Sequence, residues 1–307
     1  MSLLRRFLVL LPIVLLAASC SSADTLATVN GAEISRDDLV ALRPSYDDPS
    51  TIDAEQMRSD LTLLIILEIV RDAAATEFGV EITEADIADR ITNPPARYAA
   101  VLQPPDQFAD VSADAIRAGA IQSLVRDGVV PGLLEEDAGG FDAVIVERPA
   151  DVIRSCVRHI SSATFEEAEA VLARLEAGED FITVAAEVSL DQASPEGLIA
   201  SSEGECLNWL TRVGPEFASL AATAPLNQPV GPVISGSAWD IIRVEDRLGP
   251  SSAEELAADV MEFLNPDYIS SLYTPWFNVV VRNATIEVSP TVGRWSEAGI
   301  GIAPPGE

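Results

Sequence analysis

The sequence predicts an α+β chain: a mainly helical body interrupted, shortly after residue 150, by a module of short strands and helices. Three observations carry this. Residues 53–78 place Met57, Leu61, Leu64, Ile65, Ile69 and Ala73 at helical spacing. Val157, His159 and Ser161 alternate with Arg158 and Ile160, as a half-buried strand requires. From Ile153 the elements then read β-α-α-β-α-β-β, whereas the preceding region reads as helices.

Element by element, Ala27–Ile34 is expected to be a short strand turning at Asn30-Gly31, after which Ser35 caps a helix with Asp37 and Asp38 in its first turn. The apolar run Leu61–Leu67 lies between Asp60 and Arg71 and is too short for a membrane span, so 53–78 reads as a core helix stopped by Gly79. Thr83-Glu84-Ala85-Asp86 starts the next helix and Asn93-Pro94-Pro95 breaks it. Ser112 opens another through Ile116, Ile121, Leu124 and Val125, with a boundary at Gly139-Gly140. In the module, Thr164 and Glu167 form a capping box, Gly178 ends that helix, and Asp180 caps Phe181–Val188. A polar loop covers Ser189–Glu205, Cys206–Leu210 reads as a second strand, and Pro215-Glu216-Phe217 suits a helix's first turn. Val233-Ile234 and Trp239–Val244 are strand-like. Residues 250–264 read as one amphipathic helix, Tyr268–Val288 as a helix and short strand, and 298–307 as a Gly- and Pro-rich tail without order.

With 307 residues, 48% of them hydrophobic, the chain can bury a core, and its length predicts two or three domains or one body with an inserted module. Its formal charge is −30, from 49 acidic and 19 basic residues, and every basic residue is Arg. Such a surface repels a phosphate backbone, which argues against nucleic acid as a partner. Without Lys there is neither a P-loop nor Schiff-base chemistry, and one histidine, His159, excludes HExxH zinc sites and multi-His cages. No metal and no cofactor is expected.

At the N-terminus, Arg5 and Arg6 precede the apolar run Phe7–Leu16, the length of a secretory signal's apolar region. Leu16-Ala17-Ala18-Ser19-Cys20 resembles the bacterial lipobox, which implies removal of residues 1–19 and lipidation of Cys20 at the extracytoplasmic face of the cell membrane. An ordinary cleaved signal is the alternative. Cys156 and Cys206 remain, an even number in an oxidising compartment. They are either bridged, closing a loop of about 50 residues worth roughly 4 kcal/mol, or two small buried hydrophobes.

From Ile153 to Arg247 the chain resembles a parvulin-type peptidyl-prolyl cis-trans isomerase domain. The resemblance rests on Arg158-His159-Ile160, Leu175–Phe181, Val188-Ser189-Leu190-Asp191, Leu207-Asn208-Trp209-Leu210, Val213–Phe217 and Trp239–Asp246, in that order. On the flanks, Val29–Ile34, Phe78–Thr83 and Val288–Trp295 are similar to foldases of the SurA/PrsA type. The resemblance implies a four-stranded antiparallel sheet with helices at 153–247, inserted into a mainly α-helical chaperone domain. The N-terminal part of that domain is 20–150, and residues 250–297 pack back on it. It also implies a foldase whose partners are unfolded or proline-containing exported polypeptides.

Residue by residue, His159 matches the first of the family's two central histidines, Asp191 its Asp or Cys position, and Val213, Phe217 and Leu207 its proline-ring pocket. Asp240 stands where the second histidine belongs and Val213 where Met is usual. A His beside a carboxylate forms a hydrogen-bonded pair that favours the imidazolium. Alternatives stay open: His159 as a strand histidine, Val213 and Phe217 as plain core, Asp191 as a turn cap. For the whole chain they are an inactive chaperone of the same fold that only holds clients, or an unrelated solute-binding or structural lipoprotein.

Overall fold

The computed structural model describes residues 24–48, 52–104, 112–137, 139–194, 196–199, 206 and 213–306. The expected signal peptide, Cys20, Leu207 and most of the strand read at 206–210 lie outside the described residues. The chain opens with a hairpin, β1 (Thr25–Val29) and β2 (Ala32–Ser35). Its turn residues Asn30 and Gly31 both have positive φ, 51° and 91°, the geometry that matches the twist of paired strands and that Asn-Gly adopts at least cost. Ser35 caps α1 (Arg36–Leu42) through a capping box with Asp38.

Helix α2 (Ala54–Phe78) buries Leu61, Ile65, Ile69 and Val70. Asp60, also buried, accepts hydrogen bonds from Arg43, Tyr46 and Gln56 at 2.7, 2.7 and 2.9 Å, so its charge is compensated. Thr83 caps α3 (Glu84–Thr92), Pro94-Pro95 turns the chain into α4 (Ala96–Leu102), and α5 (Ala113–Asp137) runs on through Pro131 to packing partners α3, α4 and α12 (Pro266–Asn283). Gly139-Gly140 precedes α6 (Phe141–Glu147).

The module follows: β3 (Arg154–Ser162), α7 (Phe165–Glu176), α8 (Phe181–Val188), β4 (Leu198–Ile199), α9 (Pro215–Thr223), β5 (Pro229–Ser235) and β6 (Ala238–Leu248). The strands make an antiparallel four-stranded sheet in the order β4-β3-β6-β5. One face, through Val157, Ile242 and Val244, packs on Phe217, Ala218 and Ala221 of α9. The opposite face, through Ile160 and Ile241, packs on Val171 and Leu175 of α7 and Phe181 and Val184 of α8. The two central strands, β3 and β6, thus divide their side chains between two cores, which is why each carries a run of consecutive buried residues.

Three expectations need correction. Within the polar loop read at 189–205, Leu198–Ile199 forms β4, because the His159 amide donates to the Gly197 carbonyl at 2.7 Å and clips that segment to β3. The single helix read at 250–264 is two, α10 (Ala253–Ala258) and α11 (Val260–Phe263), since Asp259 leaves helical geometry and its carboxylate caps Glu262. The tail is ordered: after β7 (Ile286–Val288), β8 (Arg294–Ser296) pairs with β9 (Gly301–Ala303), setting Trp295 opposite Ile302.

The chain divides into two units, residues 1–65 with 285–307, and residues 66–284. In the first, β1 is the centre of a three-stranded sheet, order β2-β1-β7, that joins the two ends of the chain. In the second, the four-stranded sheet and helices α3 to α12 belong together.

Candidate active site

His159 lies on β3 with its side chain on the same face as Val157 and Ser161, by alternation. The register pairs Ser161 with Asp240 and His159 with Ile242, so Asp240 lies diagonal to His159 on that shared face. This is the face whose apolar residues meet Phe217. The third group comes from beyond α8. There the Leu190 amide donates to the Ser161 carbonyl at 2.9 Å, and Ser189 Oγ accepts from the amides of Ser161 and Asp191 at 3.1 and 3.3 Å. These contacts dock the loop on β3 and set Asp191 over the imidazole.

The result is a histidine between two carboxylates. His159 Nδ1 is 3.2 Å from Asp240 Oδ2, and Nε2 is 2.8 Å from Asp191 Oδ2. Ser161 Oγ donates to the other oxygen of Asp240, and Asp191 Oδ1 accepts from the Ala193 amide at 2.9 Å. Exposure separates the roles these groups can take: the Asp240 side chain is 1% exposed, His159 9% and Asp191 28%. Asp240 is an internal anchor, and Asp191 is the end that a bound molecule can touch.

Burial alone would lower the His159 pKa, but hydrogen bonds and charge from Asp240, then Asp191, outweigh it and raise the value above that of an ordinary histidine. Burial would raise the Asp191 pKa, yet the His159 hydrogen bond and the Ala193 amide take it below the usual carboxylate range. The site therefore favours an imidazolium donating from both nitrogens.

Sequence reasoning named His159, Asp191 and Asp240, and the structure brings the three together. Phe217 is fully buried in the cluster under this face, and Val213, half-buried, packs against the same cluster. Cys156 and Cys206 are joined in a disulfide across a separation of 50 residues. Sequence reasoning missed Ser161 and Ser189. Ser161 was within reach of the strand period, which puts it two residues from His159 on one face. Ser189 belongs to a loop whose docking no local pattern announces.

Residues 157–246 match the family model described as Rotamase: PPIC-type PPIASE domain. No curated protein matches the chain. Among solved structures, the chain is similar to a peptidylprolyl isomerase (PrsA) from Bacillus cereus, at 16% identity over 88% of this chain and 95% of that one, TM-score 0.43. It is similar to another PrsA, from Bacillus anthracis, at 15% identity over 72% and 95%, TM-score 0.41. A solved PpiC-type peptidyl-prolyl cis-trans isomerase domain has 23% identity over 34% of this chain and 99% of its own, TM-score 0.28. The chain thus carries, at residues 157–246, a peptidyl-prolyl cis-trans isomerase domain of the PPIC, or parvulin, type.

Proposed function

We propose that this chain is a foldase that isomerises X-Pro bonds in exported polypeptides, tethered by lipid on Cys20 to the extracytoplasmic face of the cell membrane. The observation that carries the catalytic part is the imidazole of His159 between Asp191 and Asp240, on the sheet face that packs against Phe217. Rotation about an X-Pro bond faces a barrier of about 18–20 kcal/mol, set by amide resonance. No covalent intermediate is needed, only tighter binding of the twisted amide than of either planar form.

The groups present suit that task. Resonance in the planar amide puts negative charge on the carbonyl oxygen, and a fixed carboxylate beside that oxygen opposes it. The twisted amide, with its electron pair back on nitrogen, escapes the repulsion. Asp191 is the partly exposed carboxylate of the trio, and its lowered pKa keeps it ionised. His159 and Asp240 are positioning residues that hold it. By the resemblance Val213 and Leu207 are assigned to the proline ring, and Phe217, fully buried, to the floor beneath it.

The test is a protease-free prolyl isomerisation assay on an X-Pro peptide. Wild type is expected to exceed the uncatalysed rate, and Asp191→Asn to lose about tenfold in kcat/KM, equivalent to about 1.4 kcal/mol in the barrier. Wild-type turnover equal to the uncatalysed rate would reject the isomerase reading and favour a chaperone of the same fold that only holds clients. For the location, the support is the lipobox-like Leu16–Cys20 and the Cys156–Cys206 disulfide, which suits an oxidising compartment.

A further inference from the structure

Two cavities open on the helices of the larger unit, and neither is lined by His159, Asp191 or Asp240. One, of about 550 Å³, lies between α2, α4, α5 and α12; the other, of about 630 Å³, lies between α4, α11 and the start of α12. Tyr98 and Arg126 line both, so the two adjoin. Each has the size of a site for a side chain or small ligand. In the first, Val70, Val101 and Leu102 make an apolar wall, and Tyr273 stacks on Phe277 at 6.2 Å between ring centroids.

Arg126 stands out by what it lacks. In a chain with 49 acidic and 19 basic residues, a guanidinium ordinarily finds a carboxylate. Its neighbours do: Arg90 holds Asp127 at 2.7 Å, Arg97 reaches the same carboxylate at 3.5 Å, and Arg154 holds Glu262 at 2.6 Å. The other oxygen of Asp127 accepts from the Tyr98 hydroxyl at 2.7 Å. Arg126 has no carboxylate within ion-pair distance among the described residues, and its guanidinium rests 5.0 Å from the Tyr273 ring centroid. A half-buried cation, held by an aromatic face between two cavities, is arranged to receive an anion.

We propose that these joined cavities are a second polypeptide-binding site, separate from the isomerase centre, that takes an extended client segment carrying an aromatic side chain next to an acidic one. The ring enters beside Tyr273 and Phe277, and the carboxylate meets Arg126 in a fork of two hydrogen bonds. Gln122, Thr274 and Asn278 supply amide and hydroxyl groups at the rim for the segment's main chain. This favours a peptide over a fatty acyl chain, which has no such groups to satisfy. In a chain of net charge −30, such a site selects acidic clients that the rest of the surface repels.

The proposal rests on the foldase reading, and its test is chosen to fail separately. With the full-length chain, fluorescence anisotropy compares two labelled proline-free peptides that differ only in a central Phe-Glu or Phe-Gln. Wild type is expected to bind the Phe-Glu peptide at least fivefold more tightly, Arg126→Gln to abolish the preference, and Arg126→Lys, which keeps the charge but not the fork, to keep only part of it. Thr274→Trp, at the exposed rim, is expected to weaken both peptides tenfold by filling the cavity while leaving the guanidinium in place. Prolyl isomerisation by Arg126→Gln in the same preparation should match wild type. Equal affinity of wild type for the two peptides, or an undiminished preference in folded Arg126→Gln, would overturn the proposal, as would displacement of the peptide by equimolar laurate.

Discussion

At the scale of single residues, the site can be observed directly because His159 is the only histidine in the chain. A proton NMR titration therefore yields one imidazole curve. Its midpoint is expected above the free-histidine value of about 6.5, because Asp240 and Asp191 outweigh the opposing effect of burial. Asp240→Asn should move it down. The sign carries over to stability: His159 stabilises the fold fully below about pH 6.5, and that contribution fades as pH rises through the higher folded value. Asp191, with its lowered pKa, stabilises above about pH 4 and ceases to as pH falls through its folded value. The His159–Asp191 pair is thus most stabilising in mildly acidic solution. A wild-type imidazole titrating at or below 6.5 would show that the two carboxylates do not hold a proton on it.

At the scale of elements, α5 shows how backbone contact is built into sequence. A Cβ on Gly128 would lie 2.6 Å from Val80 Cγ1, and one on Gly132 would meet the Phe78 ring. Both glycines let the chain that leaves α2 lie against the helix. Gly128→Ala is expected to lower stability in urea unfolding: overpacking costs about 1–3 kcal/mol, more than the gain in helix propensity of up to about 1 kcal/mol. A stabilised variant would mean that the contact yields without cost. What sequence shows about elements follows the range of the forces involved. Helix starts at Ser35, Thr83, Thr164 and Asp180 were legible because each cap is a bond between residues three apart. Strand β4 was not. Two residues cannot display alternation, and they are held by bonds to β3, about forty residues distant. The break at Asp259 was hidden because the apolar period continues across it. In the site, residue types and order pointed to His159, Asp191 and Asp240, but the serines that orient them depend on a tertiary dock.

At the scale of the whole molecule, charge decides how the chain can meet a membrane. Cytoplasmic and outer leaflets rich in anionic lipid attract polybasic segments at about 1 kcal/mol per basic residue, but this chain carries a net −30 and is repelled. Among the described residues no helix is long and apolar enough to cross a bilayer. On the proposed reading, attachment comes from acyl chains on Cys20, each buried CH₂ contributing about 0.8 kcal/mol, with one chain marginal and two or more sufficient. Two outcomes follow from an anchor made of acyl chains alone. Wild type should remain in the membrane fraction in both low and high salt, since no electrostatic attraction is there to be screened. Cys20→Ser should move wholly to the soluble fraction and lose incorporation of labelled palmitate, while its isomerase activity stays at the wild-type level. Release of wild type by salt, or retention of Cys20→Ser on membranes, would point to a surface contact that the acidic composition gives no means to form.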